Sequence, residues 1–380
     1  MITLIKNARF YDATKGEVND ILIAGNKILT VEKNILPQGI PHEVIDAQGK
    51  LVTPGLIDIH VHVTGGGGQT GFGSLAPEVK TSSLIACGTT TVVGLLGTDG
   101  FVKQLPQLYA KTMALRESNI SAYMLTGYYG LPTPTLTGCV ADDLIFIAPV
   151  VGCKIAIADD RSSFPTEHEL LRLINKVRLG GFTSSKGGVI HVHLGNLDEG
   201  MTMLMNIAKK YPTLIKHISP THTMRTEALF NQAIEFTKMG GMMDITSGGS
   251  KFIEPYESIL YALERGASID SITFSSDGNG GVMKIDPVTG VGNYTLAPVH
   301  GNLEQTIKLI TEKGMPEADA FKLTTANPAK LMHFKTKGHI KVGFDADFCI
   351  FDSDYKLTDV ISQGKFMLRD GEFVMPQNFE

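Results

Sequence analysis

Two histidines separated by one residue, His60 and His62, end an apolar run in residues 56–69, LIDIHVHVTGGGGQ. On a strand, alternate side chains share a face, so the two imidazoles would lie about 7 Å apart along it. Such a pair can bind one metal ion. The alternative is a pair of hydrogen-bonded core histidines, but burying two unpartnered imidazoles among apolar residues is costly. The four glycines that follow predict a loop that can approach a ligand closely.

Further residues of metal-binding type lie late in later strand-like runs. They are Lys154 in VVGCKIAIAD, His191 and His193 in GGVIHVHLG, His217 and His222 in IKHISPTH, and Asp277 in SITFSSDGNG. Spacing leaves the choice between His191 and His193 open, and likewise that between His217 and His222. A set of this size exceeds the needs of a single tetrahedral zinc and indicates a centre with two metal ions.

Lys154 requires a specific explanation, because burying an ammonium group beside cations is unfavourable. Reaction with carbon dioxide would convert its amine to an anionic carbamate that can bridge two metal ions. The alternative is a lysine that extends to the surface and pairs with Asp159 or Asp160. For Asp277, the alternative is an ordinary aspartate in a surface turn.

The elements that must position these residues alternate between strand-like and helix-like patterns from residue 55 to residue 335. Eight apolar runs, starting near residues 56, 89, 120, 150, 187, 215, 242 and 271, predict an α/β chain with a (β/α)₈ TIM-like barrel. A doubly wound sheet is the alternative. Barrel enzymes place their chemistry at the carboxyl ends of the strands, where these candidate ligands lie.

The two ends of the chain have a different texture. Residues 1–54 and 336–380 contain short alternating runs punctuated by Gly, Asn and Pro, which predict small antiparallel sheets. We expect the two ends to pair into one small β domain, with residues 55–335 as the catalytic barrel.

Composition restricts the partners. The 380 residues carry a net charge of -5, without a basic field that would favour nucleic acid or an acidic membrane. No apolar run approaches the ~18 residues of a membrane span, and the N-terminus lacks a signal-peptide pattern. We therefore expect a cytoplasmic protein with a small-molecule or peptide substrate.

The four cysteines are widely spaced, at positions 87, 139, 153 and 349. No CxxC pair is present, so neither a disulfide framework nor a cysteine zinc site is predicted. We expect small buried apolar side chains at these positions.

Taken together, LVTPGLIDIHVH, the strand lysine, SSDG, TTANPAKLM and GHIKVGFDADFCIFD resemble the amidohydrolase superfamily. Within it, HVHVTGGGGQTG, VVGLLGTD, SAYMLTGYYGLP, HLGN, PTHTMR and TFSSDGNG are similar, in order and over essentially the full length, to the isoaspartyl (β-aspartyl) dipeptidases. The HxH motif is specific only to the superfamily. The GGGG, GLLGTD and SSDGNG stretches are specific to a much smaller group of proteins.

The resemblance implies a zinc-dependent enzyme that hydrolyses the β-aspartyl bond of isoaspartyl dipeptides through a hydroxide that bridges two metal ions. It also implies a small β-sandwich domain formed by both chain ends and a homo-oligomer. One ion would be held by His60, His62 and Asp277, the other by His193 and His222, with carboxylated Lys154 as the bridge. Asp277 would move the proton, and Tyr129 would stabilise the oxyanion. Substrate-binding positions fall on Gln69, Thr98, Arg161, Arg225 and Gly281.

Two of these positions depart from the family pattern. Gln69 stands where the family has a glutamate for the substrate's free amino group, and Gly281 stands where it has a serine for a carboxylate. Loss of the negative charge should weaken attraction to an ammonium group. The hydrolytic chemistry would then be kept with a shifted substrate, for example an N-acylated one.

Two other classes compete with this prediction. One is a related metal-dependent amidohydrolase that acts on a cyclic amide or an N-acyl amino acid. The other is a barrel without metal ions that serves as a non-catalytic assembly protein. Because every ligand position is filled in this sequence, the second class is disfavoured.

Overall fold

The computed structural model describes residues 2–13, 17–250, 252–286 and 292–376, and shows an α/β chain. Its strands, in chain order, are β1 (Ile2–Phe10), β2 (Asn19–Ala24), β3 (Lys27–Glu32), β4 (Glu43–Asp46), β5 (Leu51–Pro54), β6 (Leu56–Val61), β7 (Thr89–Gly94), β8 (Ser121–Gly127), β9 (Val150–Ile157), β10 (Val189–Leu194), β11 (Ile218–Thr221), β12 (Met243–Thr246), β13 (Ile272–Ser275), β14 (Gly281–Ile285), β15 (Gly292–Leu296), β16 (Phe348–Phe351), β17 (Leu357–Ser362), β18 (Lys365–Arg369) and β19 (Glu372–Phe373).

The α-helices lie mostly between the strands of the middle region, as the patterns predicted. They are α1 (Thr81–Ile85), α2 (Leu105–Glu117), α3 (Val140–Phe146), α4 (Glu167–Thr183), α5 (Thr202–Lys210), α6 (Glu227–Lys238), α7 (Pro255–Glu264), α8 (Gly301–Thr311), α9 (Glu317–Lys322) and α10 (Ala326–Leu331). Local sequence explains where α4 begins, because Thr166 and Glu169 form a reciprocal capping box.

Strands β6 to β11 form a parallel sheet in sequence order, and β12 pairs in parallel with β13. The strands curl round so that the segment after β13 approaches the end of β6, where the amide of His62 donates to Gly278 O at 2.9 Å. On the other side, Thr223 Oγ1 donates to Asp244 O and links the end of β11 to β12. All eight predicted strands are confirmed, and they are buried on both faces, as parallel strands covered by helices must be.

The ends of the chain contribute to one hydrogen-bonded sheet with the order β19-β18-β17-β16-β5-β1-β2-β3, with β4 also paired to β1. Strand β5 pairs antiparallel with β16, which joins the two ends. The prediction of a purely antiparallel sheet is wrong, because β1 pairs in parallel with β4 and β5. The β2–β3 hairpin pairs with one edge of β1. The chain after β3 therefore crosses to the other edge of β1, where β4 and β5 pair. The β-sandwich arrangement and the domain boundaries stay predictions.

The cysteines are free among the described residues. Three of them are buried, as expected, and Cys139 is half-buried. Within the same residues, none of the helices combines the length and apolar character needed to cross a membrane.

Candidate metal centre

The carboxyl ends of the parallel strands bring the predicted ligands to one place. Their positions on the elements are His60 in β6 and His62 just after it, Lys154 in β9, His193 in β10, His222 just after β11, and Asp277 two residues after β13. Two of them, His222 and Asp277, have positive φ angles of 59° and 53°. Strain of this kind in non-glycine residues often marks functional sites, and here it occurs where the chain leaves a strand.

Asp277 lies between the two histidines of the HxH pair. Its Oδ1 is 3.2 Å from Nε2 of His60 and 3.2 Å from Nε2 of His62. One ligand atom from each of these three residues lies within 4.8 Å of the others, so the group could hold a metal ion. Burial, followed by the charge of Lys154, lowers the pKa of His60 to about 3. Its imidazole is therefore neutral and keeps a lone pair for a metal ion.

Lys154 is 1% exposed, and its Nζ lies 3.3 Å from His60 Nε2. The alternative of a surface lysine paired with Asp159 or Asp160 is wrong, because Asp159 pairs with Arg161 and His193 and because Lys154 is buried. Burial lowers the pKa of Lys154 to about 7. A neutral amine beside a histidine ligand is the form that can react with carbon dioxide.

His193 has a partner on each ring nitrogen. Nε2 lies 2.9 Å from Asp159 Oδ2, and Nδ1 lies 2.8 Å from the hydroxyl of Tyr129. Burial opposes ionisation of Asp159, but hydrogen bonds from Arg161 and His193 hold the pKa of this carboxyl far below its usual range. Because a carboxylate only accepts, Nε2 of His193 carries the proton and Nδ1 presents a lone pair.

The ring of His222 lies close to those of both His60 and His193. Its ring centroid is 4.9 Å from that of His60 and 4.5 Å from that of His193. Its Nδ1 lies 2.7 Å from Thr246 Oγ1 at the end of β12, which leaves Nε2 for a ligand. The donor set of imidazoles, a carboxylate and a lysine that can become anionic therefore fits divalent metal ions.

His191 and His217 are the two histidines that spacing alone could not distinguish from the predicted ligands. Both have hydrogen-bond partners of their own. His191 Nε2 lies 3.0 Å from His60 Nδ1, and its own Nδ1 lies 2.9 Å from Ser219 Oγ. His60, His191 and Asp244 form a second group close enough to hold a metal ion. However, Asp244 already accepts hydrogen bonds from three hydroxyl groups, those of Thr221, Thr273 and Ser275.

His217 lies at the opposite end of the strands. It is the last residue of a 3₁₀ helix, Pro212–His217, just before β11. Its Nδ1 is 3.0 Å from Gly188 O, one residue before β10 begins. This end of the sheet is opposite to the end that carries the predicted ligands, so His217 is not part of the candidate metal centre.

A cavity of about 720 Å³ opens beside the predicted ligands His222 and Asp277 and is also lined by Arg225. The Nε of Arg225 is buried and has no hydrogen-bond partner among the described residues. Its Nη2 lies 3.4 Å from Nε2 of His193, which carries a proton and therefore does not accept from it. Arg161 is already paired with both oxygens of Asp159, at 2.8 and 2.6 Å. Of the two arginines, Arg225 therefore has the more available donor for a carboxylate ligand.

The predicted substrate positions Gln69 and Thr98 contact each other. Thr98 Oγ1 lies 3.0 Å from Gln69 Oε1 and 3.0 Å from Gly67 O. Gly281 begins β14, where a Cβ would lie 3.0 Å from Gly67 Cα and 3.1 Å from Ser74 O. The absent side chain at residue 281 therefore permits a close approach between this strand and the glycine loop.

Tyr129 is buried beside His193, and Arg161 lies 5.5 Å from the centre of its ring. Burial raises the pKa of its phenol far above the usual value, so the hydroxyl stays protonated and can donate a hydrogen bond.

Several positioning contacts are not predicted by the sequence. For Asp159, the available signal in the sequence is its position two residues after the end of β9, near the carboxyl ends of the strands. Asp99 has an oxygen 3.6 Å from His62 Nδ1, and Asn279 Nδ2 donates to His62 O. Nothing in the local pattern distinguishes these residues from ordinary loop residues.

The chain belongs to the amidohydrolase family, whose sequence model matches residues 51–375. It is therefore a hydrolase of the amidohydrolase superfamily. Among solved structures, it is similar to a beta-aspartyl dipeptidase from Fervidobacterium islandicum AW-1, crystallised in complex with the beta-Asp-Leu dipeptide. The two share 39% identity and a TM-score of 0.91 over 100% of both chains.

Other relatives have different named activities. A dihydroorotase from Streptococcus thermophilus is 24% identical over 98% of this chain and 99% of its own. An adenine deaminase from Clostridium perfringens is 24% identical over 99% of this chain and 61% of its own. The structure of a D-hydantoinase, with 19% identity and a TM-score of 0.69, shows the shared fold alone.

Proposed function

We propose that this chain is a binuclear-metal isoaspartyl dipeptidase with a (β/α)₈ barrel and a small β-sandwich domain built from both chain ends. The observation that carries the proposal is the convergence of six ligand-type side chains, two of which line a cavity with Arg225. The chain is also similar over its full length to a beta-aspartyl dipeptidase. We also propose a small dipeptide as the substrate, a homo-oligomer and a cytoplasmic location, without nucleic-acid or membrane partners.

His60, His62 and Asp277 would hold one ion, His193 and His222 the other, and carboxylated Lys154 would bridge them. Zinc suits this set of nitrogen and oxygen donors. Bound divalent ions would lower the pKa of a water molecule and polarise the scissile carbonyl.

Asp277 is the group proposed to transfer a proton from the attacking water to the leaving amine. Burial opposes ionisation of Asp277, but hydrogen bonds from the imidazoles of His60 and His62 hold the pKa of its carboxyl well below its usual range. Its carboxylate can accept a proton from the attacking water at Oδ1 or Oδ2 and return it to the leaving amine.

Three further groups are proposed to act on the substrate. The protonated hydroxyl of Tyr129 would donate a hydrogen bond to the oxyanion that forms as the amide carbonyl is attacked. The guanidinium of Arg225 would bind a substrate carboxylate through its unpaired Nε. Arg161 is proposed as a second carboxylate contact, and its pairing with Asp159 fixes its orientation.

The test is metal content together with hydrolysis of β-Asp-Leu, with the α-linked isomer Asp-Leu as the matched control substrate. We expect roughly two zinc ions per chain and cleavage confined to the β-linked isomer. Faster hydrolysis of dihydroorotate or a hydantoin than of β-Asp-Leu would contradict the proposal. Loss of both metal ions with retained fold would favour the non-catalytic class.

A second candidate is a hydrolase of the same chemistry whose substrate lacks a free amino group. It is supported by Gln69, whose Oε1 already accepts a hydrogen bond from Thr98 and whose side chain carries no charge. If this candidate is correct, N-acetyl-β-Asp-Leu should be a better substrate than β-Asp-Leu, and Gln69→Glu should reverse the order. A strong preference of the wild type for the free amine would exclude it.

A further inference from the structure

Lys103 forms an unusual set of contacts beside the glycine loop. Its Nζ donates to Thr64 O at 2.6 Å, to Ala76 O at 2.8 Å and to Gly65 O. All three donors of one ammonium group are thus used on backbone carbonyls. These carbonyls come from the two ends of the loop of residues 64–76, so one side chain joins the ends.

The carbonyl oxygens depend on this lysine. No backbone N–H within the described ranges donates to any of the three. The two ends of the loop are in very close contact, since a Cβ on Gly65 would lie 2.2 Å from Ala76 O and the φ of Gly65 is +84°. Three converging carbonyl dipoles repel one another, and a positive charge placed among them removes the repulsion.

The loop of residues 64–76, whose ends Lys103 joins, packs against the candidate metal centre. A Cβ on Gly66 would lie 3.1 Å from Cγ of His62, so the loop packs directly on a ligand ring. Gln69 and Gly67 in the same loop contact Thr98. The backbone N–H of Lys103 donates to Asp99 O at 2.8 Å, at the 3₁₀ helix Thr98–Phe101. Lys103 therefore connects the loops that follow β6 and β7.

We propose that Lys103 is a positioning residue that holds the glycine loop and Gln69 in the arrangement that binds substrate. The proposal rests on the proposed function for its kinetic readout. Lys103 does not touch the metal ligands through its side chain, and its effect should be on substrate affinity rather than on the chemical step.

The chain offers a matched control in Lys186. Its Nζ also donates to three backbone carbonyls, those of Leu144 at 2.6 Å, Ile147 at 2.7 Å and Val150 at 3.0 Å. These lie at the end of α3 and the start of β9, at the opposite end of the strands from the metal centre. The same substitution there removes the same kind of contact without changing the substrate loop.

The experiment compares Lys103→Met, Lys103→Gln and Lys186→Met with wild type in zinc content, melting temperature and hydrolysis of β-Asp-Leu. We expect the Lys103 variants to keep both metal ions and to raise KM about tenfold or more, with kcat within about threefold. Lys186→Met should lower the melting temperature to a similar extent and leave KM unchanged. Unchanged KM in both Lys103 variants, or an equal rise in Lys186→Met, would overturn the proposal.

Hydrogen exchange separates this proposal from that of the dipeptidase activity. Amides of residues 64–76 should lose protection in Lys103→Met and keep it in Lys186→Met. If wild type fails to cleave β-Asp-Leu while this loss of protection occurs, the proposed function fails and the contact between Lys103 and the loop stands. If wild type cleaves it and residues 64–76 stay protected in Lys103→Met, the role of Lys103 fails. Lys103→Gln provides the same measurement if the Met variant does not fold.

Discussion

Asp159 Oδ2 lies 2.9 Å from Nε2 of His193, and both side chains are buried. A carboxylate on the outer nitrogen of a ligand histidine fixes the tautomer of the ring and raises the basicity of its inner nitrogen. The orientation of His193, whose Nδ1 faces the hydroxyl of Tyr129, thus depends on a residue two positions beyond the end of β9.

Asp159→Asn should weaken retention of one metal ion. An asparagine can present an N–H to His193 and loses the charge, so we expect a fall in metal affinity of about 10- to 100-fold. Competition with a chelator, followed by metal analysis, measures it. Asp160→Asn is the control, because this neighbour is exposed and lies 3.9 Å from Arg161 Nε. Equal metal loss in the two variants would contradict the role assigned to Asp159.

Capture of carbon dioxide by Lys154 should depend on pH. Burial lowers the pKa of Lys154 from 10.5 to about 7, so the amine is protonated and unreactive below that value and neutral above it. With dissolved ¹³CO₂ held constant, the carbamate signal should increase from about pH 6 to about pH 8.

Carbon-13 NMR of the metal-free chain, with zinc then added, measures this carbamate. Lys154→Met should lack the signal and bind less zinc. A signal that persists in Lys154→Met, or one that does not change over this range of pH, would refute carboxylation at this residue.

Tyr129→Phe should reduce kcat by about 100- to 1,000-fold, the usual loss for one oxyanion donor, with a much smaller change in KM. Steady-state hydrolysis of β-Asp-Leu measures both. The adjacent tyrosine is the matched control: the ring of Tyr128 contacts Phe101, at 5.3 Å between centroids, rather than a ligand histidine. Tyr128→Phe should keep kcat within a few-fold of wild type, and a similar loss in both variants would argue against a specific role for Tyr129.

Lys337 should stabilise the junction between the terminal sheet and the parallel strands. It pairs with Asp347, lies 3.0 Å from Asp345 and donates to Ser121 Oγ at 2.6 Å at the start of β8. Removing one partner leaves a buried carboxylate unpaired, so Lys337→Met should lower the free energy of unfolding by about 3–5 kcal/mol. Lys27→Met removes a more exposed partner of Asp345 and should cost about 1 kcal/mol or less.

Denaturant unfolding of Lys337→Met and wild type as a function of pH checks the assignment. Burial opposes the charge of Lys337, but Asp347 and Asp345 raise its pKa above 10.5. The contribution of Lys337 to the free energy of unfolding should therefore be complete below pH 10.5. It should be lost as the pH rises through the raised pKa of the folded state. A difference between wild type and variant that grows above that pH would contradict the ion pair.

The eight strands and their order could be predicted because each is a local run of apolar residues with turn residues at its ends. The approach of the six ligand-type residues follows from strand position alone, since the carboxyl ends of parallel strands meet at one edge. The pairing of the strands at the two ends of the chain could not be predicted from local sequence patterns. The parallel partners of β1 are chosen by which edge the β2–β3 hairpin leaves open, and that is a property of the folded sheet.

The sequence by itself determined the class of chemistry, through the types of residue at strand ends and the departures at Gln69 and Gly281. Only the tertiary structure decided which atoms meet. His191 and His193 share a strand face, yet one contacts His60 and the other contacts Asp159 and Tyr129. Lys103 joins carbonyls 27 to 39 residues away along the chain. Such contacts depend on ring direction and on long-range packing, which no local spacing encodes.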